Sequence, residues 1–335
     1  MPANVCAYKR KGKPIMAQRR PFCQIIDGVP RPPNFNPDVF RESLKFRALK
    51  DDVVMSAYPK VGTHWLQYIV QLILKEGEPV DSHEEFTNNI RSIEHTANKE
   101  WKPVLPARFY YTHLPLRRET MNPEAKYIYA ARNPWDTCVS FYHMISDLSI
   151  YRFQDGTFAE FFEAFLEGSF GFGSFFEHVA AGYALRNEPN VLFVTYEELK
   201  ADTRGTVLRL AHFLGDRYGE ALEDSTTGLL DKLLERSSSE YMKNVMVVNL
   251  EKKPAPGAVA AATGRKIVTS KAGHQGDETK YAVVRSAKVG GWKEYFTPDQ
   301  LRRLEDKIRD MGERAAYMSL WDDIHKEAIA ASSDK

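Results

Sequence analysis

Three side chains in this sequence sit where chemistry on an anion would need them: Lys60, Arg132 and His113. Lys60 and Gly62 lie in AYPKVGTHWLQYIVQLIL, residues 57–74, between the apolar run Val53, Val54, Met55, Ser56 and an apolar helical pattern that begins near Thr63. A strand, a tight glycine turn and a helix start expose backbone N–H groups at the positive end of a helix dipole, which makes such a turn an anion site. Lys60 can add its ammonium over the same anion. The triphosphate-binding pattern GxxxxGK[ST] is absent, because here the lysine precedes the glycine. Arg132, in AARNPWDTCVSFYHM at 130–144, closes a strand-like run, and Ser140 follows eight residues later, about two helical turns on. Both can face one ligand, the guanidinium by a forked charge-assisted contact and the serine by its hydroxyl. Alone, Arg132 would serve equally well in a structural ion pair. Together with the lysine loop it implies a ligand with two separate phosphate-like groups.

His113 stands in FYYTHLPL, just past another strand-like run and before Pro115. A lone histidine is more often structural, but this position falls in the loop region where ligands of such sheets bind. An imidazole, with an unperturbed pKa of about 6.5, suits a general base for a hydroxyl acceptor. Arg285, in VVRSAKVGGWKEYFTPDQ, is followed by Ser286 and Ala287, small enough for a backbone to approach an anion closely. Trp292 and Phe296 in the same stretch read as core.

The elements that must position these residues alternate. Strand signals fall at Val53 to Ala57, Phe109 to Thr112, Lys126 to Ala131 and Val191 to Thr195. Helical patterns fit 64–75, 158–166, 175–187, 204–214 and 298–311, and Asn133-Pro134 is suited to open another helix. The implied class is α/β, a central parallel sheet flanked by helices on both faces with a P-loop-like anion loop. Its ligand belongs at the carboxyl ends of the strands. The expected organisation is a basic N-terminal tail over 1–34, one domain over 35–325 and a C-terminal tail over 326–335. Residues 251–281 carry almost no large apolar side chains; they read as a mobile loop insertion, either a gate over the site or a passive decoration.

Composition excludes several classes. The 335 residues are 43% hydrophobic and 27% charged with net charge +1, ordinary for a soluble globular protein and without a global pull toward nucleic acid. Cys6, Cys23 and Cys138 are far apart and lack CxxC spacing, which argues against a disulfide framework or a zinc site. No apolar stretch approaches the roughly 20 residues a membrane helix needs. The first twenty residues are basic without the apolar core of a secretory signal, so cytosol is the expected location.

Four ordered stretches resemble the cytosolic sulfotransferase family: Tyr58-Pro59-Lys60-Val61-Gly62-Thr63-His64-Trp65, Thr112-His113-Leu114-Pro115, Arg132 through His143, and Arg285 through Lys293. The resemblance spans roughly residues 35–250 and 283–320, and it includes VTYEELKADTRGTVLRLAHFLG around Tyr196. It implies transfer of a sulfuryl group from 3′-phosphoadenosine 5′-phosphosulfate (PAPS) to a hydroxyl or amine of a small acceptor such as a phenol, catecholamine or steroid, without a metal. Adenosine 3′,5′-bisphosphate (PAP) is the product. On that analogy His113, Lys60 and Ser140 are catalytic. Lys60, Val61, Gly62, Thr63, His64 and Trp65 hold the phosphosulfate end. Arg132, Ser140, Arg285, Ser286 and Ala287 take the 3′-phosphate, Tyr196 and the stretch Ser237 to Met242 line the adenine, and Tyr111 and His113 meet the acceptor.

The chain also departs from the family's pattern. Tyr111 stands where a lysine is usual, Ser239 where a phenylalanine stacks on adenine, His64 replaces a threonine, and Arg285-Ser286-Ala287 replaces RKG. A subunit-pairing motif would fall at Lys293, Thr297, Pro298 and Arg302, and only its first half is present, so a homodimer stays open. Two rivals are kept: a P-loop small-molecule kinase using ATP and magnesium, and a noncatalytic protein that binds 3′,5′-bisphosphate nucleotides.

Overall fold

The computed structural model describes residues 19–97, 101–250, 279–284 and 287–333. Nine strands are described: β1 Gln24–Ile26, β2 Val29–Arg31, β3 Val53–Ala57, β4 Arg91–Ser92, β5 Phe109–Thr112, β6 Lys126–Ala131, β7 Val191–Thr195, β8 Val247–Asn249 and β9 Lys280–Ala282. The helices are α1 Pro37–Ser43, α2 Thr63–Leu74, α3 His83–Asn88, α4 Ile93–Thr96, α5 Pro134–Asp147, α6 Phe158–Glu167, α7 Phe175–Ala184, α8 Tyr196–Ala201, α9 Thr203–Leu214, α10 Asp216–Glu223, α11 Leu229–Arg236, α12 Ser239–Val245, α13 Pro298–Met311 and α14 Asp322–Ser333.

Five strands form one parallel sheet in the order β4-β5-β3-β6-β7. All five residues of central β3 are buried, which is why its sequence is apolar on both faces apart from Ser56, whose hydroxyl donates to the Leu114 carbonyl. Lateral register pairs Val53 with both Phe109 and Lys126, so the three middle strands begin together and end within two residues of one another. Below their amino ends, Asp52 is 3% exposed at its side chain and takes a bidentate pair from Arg108, at 2.7 and 2.9 Å.

The helices pack on the sheet for local reasons. Helix α5 begins with Asn133 accepting the Asp136 N–H at 2.8 Å and Pro134 in the first turn. Helices α6, α8 and α13 each open with a full capping box, Thr157/Glu160, Thr195/Glu198 and Thr297/Gln300. The four expected strands and all the expected helices are present, with ends shifted by up to three residues.

Three expectations are corrected. Within the stretch expected as a tail, residues 24–31 form the antiparallel hairpin β1–β2, and Phe22 N–H reaches the Tyr151 carbonyl at 2.7 Å. The stretch expected as a C-terminal tail is helical through Ser333, because Ala328 is buried and Arg302 Nη1 donates to the Ser332 carbonyl. Lys280 and Tyr281, expected in a loop, belong to β9, which pairs with β8. The remainder of that loop, 251–278, lies outside the described residues, as do Arg285 and Ser286.

Candidate functional site

Each functional side chain follows a strand of the sheet. His113 comes directly after β5, Arg132 directly after β6 and Tyr196 directly after β7, while Lys60 and Gly62 fill the turn after β3. The sheet's carboxyl edge therefore collects residues from four separate sequence stretches into one cavity of about 870 Å³.

The turn is built under strain. Lys60 has φ +72, a left-handed conformation that costs a non-glycine residue about 1–2 kcal/mol. Gly62 has φ +91, and a Cβ there would lie 2.6 Å from Cδ2 of Tyr196, so both conformation and space require glycine. Gly62 also caps α2 without any side-chain hydrogen bond, and no acidic residue stands in the first turn of that helix. A helix end of this kind favours an anion. Thr63 and Gln67 of α2 both line the cavity, and their Oγ1 and Nε2 atoms are buried without a hydrogen-bond partner among the described residues. Nε of Arg132 is likewise buried without a partner among the described residues. Buried donors of this kind cost stability unless a ligand satisfies them. Three such atoms on one cavity fit a polyanionic nucleotide.

Arg132 is aimed by three contacts. Its guanidinium stacks on Tyr196 at 4.4 Å, Nη2 donates to the Lys288 carbonyl at 2.8 Å, and Asp136 lies 3.6 Å away. Asp136, 3% exposed, is itself held by the N–H groups of Gly290 at 2.9 Å and Trp292 at 3.2 Å. Ser140 sits one turn beyond Asp136, and residues 136, 140, 143, 144 and 147 of α5 all line the cavity. Their spacing of three and four marks one helix face. Trp65 forms an aromatic wall: its Nε1 donates to the Ser237 carbonyl at 2.8 Å, and its ring stands edge-on to Tyr196 at 5.6 Å.

His113 is fixed at three points. Nδ1 is 2.7 Å from the Ala57 carbonyl. A carbonyl only accepts, so Nδ1 carries the proton and Nε2 presents a lone pair. The His113 N–H donates to Glu94, and its carbonyl accepts from His178 Nε2 at 3.2 Å. Tyr111 and Phe172 stand edge-on to the ring at 6.0 and 5.9 Å. His64 opens onto the same cavity; the surrounding protein, then Lys60, push its pKa down to about 3. Burial likewise lowers His178 to about 3 and raises Tyr111 to about 12.

Of the residues expected at the site, Lys60, Gly62, Thr63, His64, Trp65, Tyr111, His113, Arg132, Ser140, Tyr196, Met242 and Ala287 line the cavity. Two do not. Val61 is turned into the core at 2% exposure, and Ser237 is 1% exposed and acts through its carbonyl on Trp65. Ser239 does line the cavity, with no ring to offer. Sequence reasoning missed Gln67, Asn34, Phe35 and Glu94, which also line it. For Gln67 the signal was present, a polar residue one turn after Thr63 and one turn before Gln71, a polar stripe on a largely apolar helix.

A family model described as the sulfotransferase domain matches residues 50–319. The 3-alpha-hydroxysteroid sulfotransferase of Cavia porcellus is 34% identical over 281 residues, covering 82% of this chain and 88% of the relative. The 3-beta-hydroxysteroid sulfotransferase of the same organism is 32% identical over 280 residues, with the same coverage of 82% and 88%. Among solved structures, a mouse sulfotransferase complexed with PAP superposes with a TM-score of 0.64 at 24% identity, over 91% of this chain and 99% of that one. At that identity the superposition speaks for the fold.

Proposed function

Because this chain belongs to the sulfotransferase family, we propose that its cavity takes PAPS, with the phosphosulfate on the Lys60–Trp65 loop and a small-molecule acceptor at His113. The chain is a sulfotransferase, an enzyme that moves a sulfuryl group onto small-molecule acceptors. The single observation that carries the site assignment is that Lys60, His113, Thr63, Gln67 and Arg132 line one cavity, the last three with buried polar atoms that have no partner among the described residues.

PAPS, when bound, supplies the sulfuryl group and a phosphate leaving group. The chain's own residues do the rest. His113 receives the acceptor's proton on Nε2, the nitrogen left free by the Ala57 carbonyl. Lys60 and the uncapped N–H groups of α2 stabilise negative charge on the departing phosphate. Arg132, Ser140 and Ala287 hold the 3′-phosphate, with Arg285 and Ser286 contributing on the family analogy. Tyr196, Trp65 and Met242 flank the base. Trp65 gains importance here, because Ser239 cannot stack. No step asks a residue to hold a metal. Positioning and charge stabilisation, as in phosphoryl transfer, supply most of the rate.

Phe35, Phe86 and Phe172 lie on the cavity wall, and Phe172 stands edge-on to His113 at 5.9 Å. That lining supports a hydroxyl on a ring system, and the names of the two guinea-pig relatives put steroid alcohols first. A cytosolic location belongs to the same reading; among the described residues no helix is long and apolar enough to cross a membrane. A homodimer is not needed by the site. Lys293 and Arg302, where a pairing motif would fall, bond within the chain to Glu327 and Asp299.

The test offers labelled PAPS with a panel of steroids, phenols, catecholamines and aliphatic alcohols, and ATP with magnesium in parallel. Transfer from PAPS to at least one acceptor is expected. Phosphoryl transfer from ATP would favour the kinase, and tight PAP binding without any transfer would favour the noncatalytic binder.

A further inference from the structure

His113 is held by its main chain as well as by its ring. Its N–H donates to Oε1 of Glu94, and the hydroxyl of Thr112 donates to the same oxygen at 2.9 Å. Glu94 lies on α4 and is 2% exposed, so its carboxylate needs partners to stay inside. Ser92 Oγ donates to its second oxygen at 3.4 Å. Ser92 Oγ is in turn 2.7 Å from His95 Nδ1, and His95 Nε2 is 3.0 Å from Asn34 Nδ2.

The direction of these bonds follows from one end. An amide nitrogen only donates, so His95 Nε2 accepts and the neutral ring carries its proton on Nδ1. That proton goes to Ser92, whose own hydroxyl hydrogen is shared between Glu94 and the neighbouring Tyr111 hydroxyl. Burial keeps His95 neutral, lowering its pKa to about 4. Glu94 is therefore the common acceptor, of Ser92 on one side and of Thr112 and His113 on the other. Arg31 adds a counter-charge, since its guanidinium interacts electrostatically with Glu94 while lying over the Phe40 ring at 4.7 Å. Arg31 ends β2, and Asn34 sits in the turn that follows. Gln24 Nε2 staples that turn through the carbonyls of Pro32 and Phe35, each at 2.7 Å.

We propose that Glu94 and Asn34 are positioning residues for the catalytic base: the N-terminal hairpin, acting through Asn34, His95 and Ser92, sets the carboxylate that fixes the His113 main chain and thereby aims its Nε2. This deepens the reading of His113 as the base and rests on it. A segment 79 residues upstream of the base thus belongs to the catalytic apparatus without touching the reacting atoms.

Glu94→Gln keeps the shape and removes the charge. Its kcat is expected to fall at least about tenfold, as small misplacements of a reacting group do, with acceptor KM and PAP affinity within twofold of wild type. The groups facing His113 are His64, His95, His178, Tyr111 and Glu94, with Lys60 and Arg31 nearby; Glu94 is the anion among them. Asn34→Asp reverses the relay: the carboxylate accepts from His95 Nε2–H, Nδ1 then accepts from Ser92, and Ser92 stops donating to Glu94. Asn34→Asp should therefore lose as much kcat as Ser92→Ala, and the double variant no more than either alone. Should Glu94→Gln fail to fold, the Asn34 and Ser92 variants decide by themselves. Turnover within twofold of wild type in Asn34→Asp and Ser92→Ala, or a folded Glu94→Gln that raises acceptor KM while kcat holds, overturns the proposal. If His113→Ala abolishes transfer while these variants turn over normally, only the positioning role falls. If His113→Ala itself turns over, the base assignment falls first.

Discussion

Replacing Gly62 with alanine tests whether the phosphosulfate turn and the Tyr196–Arg132 stack form one device. The new Cβ would stand 2.6 Å from Cδ2 and 3.2 Å from Cε2 of Tyr196. The ring has little room to yield, because it is 7% exposed and lies between Trp65 at 5.6 Å and Arg132 at 4.4 Å. Two costs add. A left-handed backbone at an L-residue costs about 1–2 kcal/mol, and overpacking a filled site costs about 1–3 kcal/mol. The sum is about 2–5 kcal/mol of stability, and relief comes by pushing Tyr196 and with it the guanidinium out of line. Gly228, with φ +60 and open space around it, supplies the control: alanine there meets the backbone cost without the clash. Calorimetric melting and PAP titration of both variants separate the terms. Gly62→Ala should melt below Gly228→Ala and bind PAP at least about tenfold more weakly than wild type, a loss of about 1.4 kcal/mol. Equal melting of the two variants together with unchanged PAP affinity in Gly62→Ala would refute the coupling.

Three further outcomes follow from the same geometry. His113→Ala should lower turnover by about 10²- to 10⁴-fold while PAP affinity, measured by calorimetry, stays within a few-fold; near-normal turnover would remove His113 as the base. PAP should bind at least tenfold more tightly than AMP, since one charge-assisted contact from Arg132 contributes about 1.5–3 kcal/mol; equal affinities would mean that the 3′-phosphate is not read. His178, 3% exposed and bonded to Tyr129, has its pKa lowered to about 3 mainly by burial. A depressed folded pKa gives stability that is present above the unfolded value near 6.5 and is lost as pH falls toward 3, about 1.4 kcal/mol by pH 5.5. Urea midpoints should fall from pH 7 to 5.5, and His178→Gln should flatten that fall; a slope identical in wild type and variant would contradict it.

The strands and the first residue after each were readable because both signals are local. Lys126 to Ala131 is an unbroken apolar run after its first residue, and Arg132 ends it, so strand and ligand-facing cation appear in adjacent positions. The hairpin at 24–31 was also local, for Asp27-Gly28 has φ of +52 and +79, the conformation an Asp-Gly turn between two apolar stretches adopts; the surrounding basic residues masked it. Strand β4 is two residues long, too short to show a period. Glu94 could not be read at all. Its role depends on Ser92, Thr112 and Asn34 meeting in space, across 18 residues in one direction and 60 in the other. Val61 and Ser237 were placed by motif analogy, which fixes a position along the chain but not the direction of a side chain.

Glu197 ties the nucleotide side to the C-terminal region of the fold. One carboxylate oxygen accepts the Asn133 N–H at 3.1 Å at the start of α5, and the other accepts Trp321 Nε1 at 2.8 Å; burial raises the Glu197 pKa. During synthesis the chain emerges from its N-terminus, so β6, α5 and α8 are all exposed to water long before Trp321 leaves the ribosome. Until then Glu197 lacks its indole donor, and a carboxylate short of a partner resists burial. The junction beside Arg132 is thus completed late, by a residue 189 positions downstream. A chain terminated prematurely ahead of Trp321 would carry every residue from Lys60 to Ala287 yet lack this donor, which leaves it a client for chaperones and proteases rather than a slow enzyme.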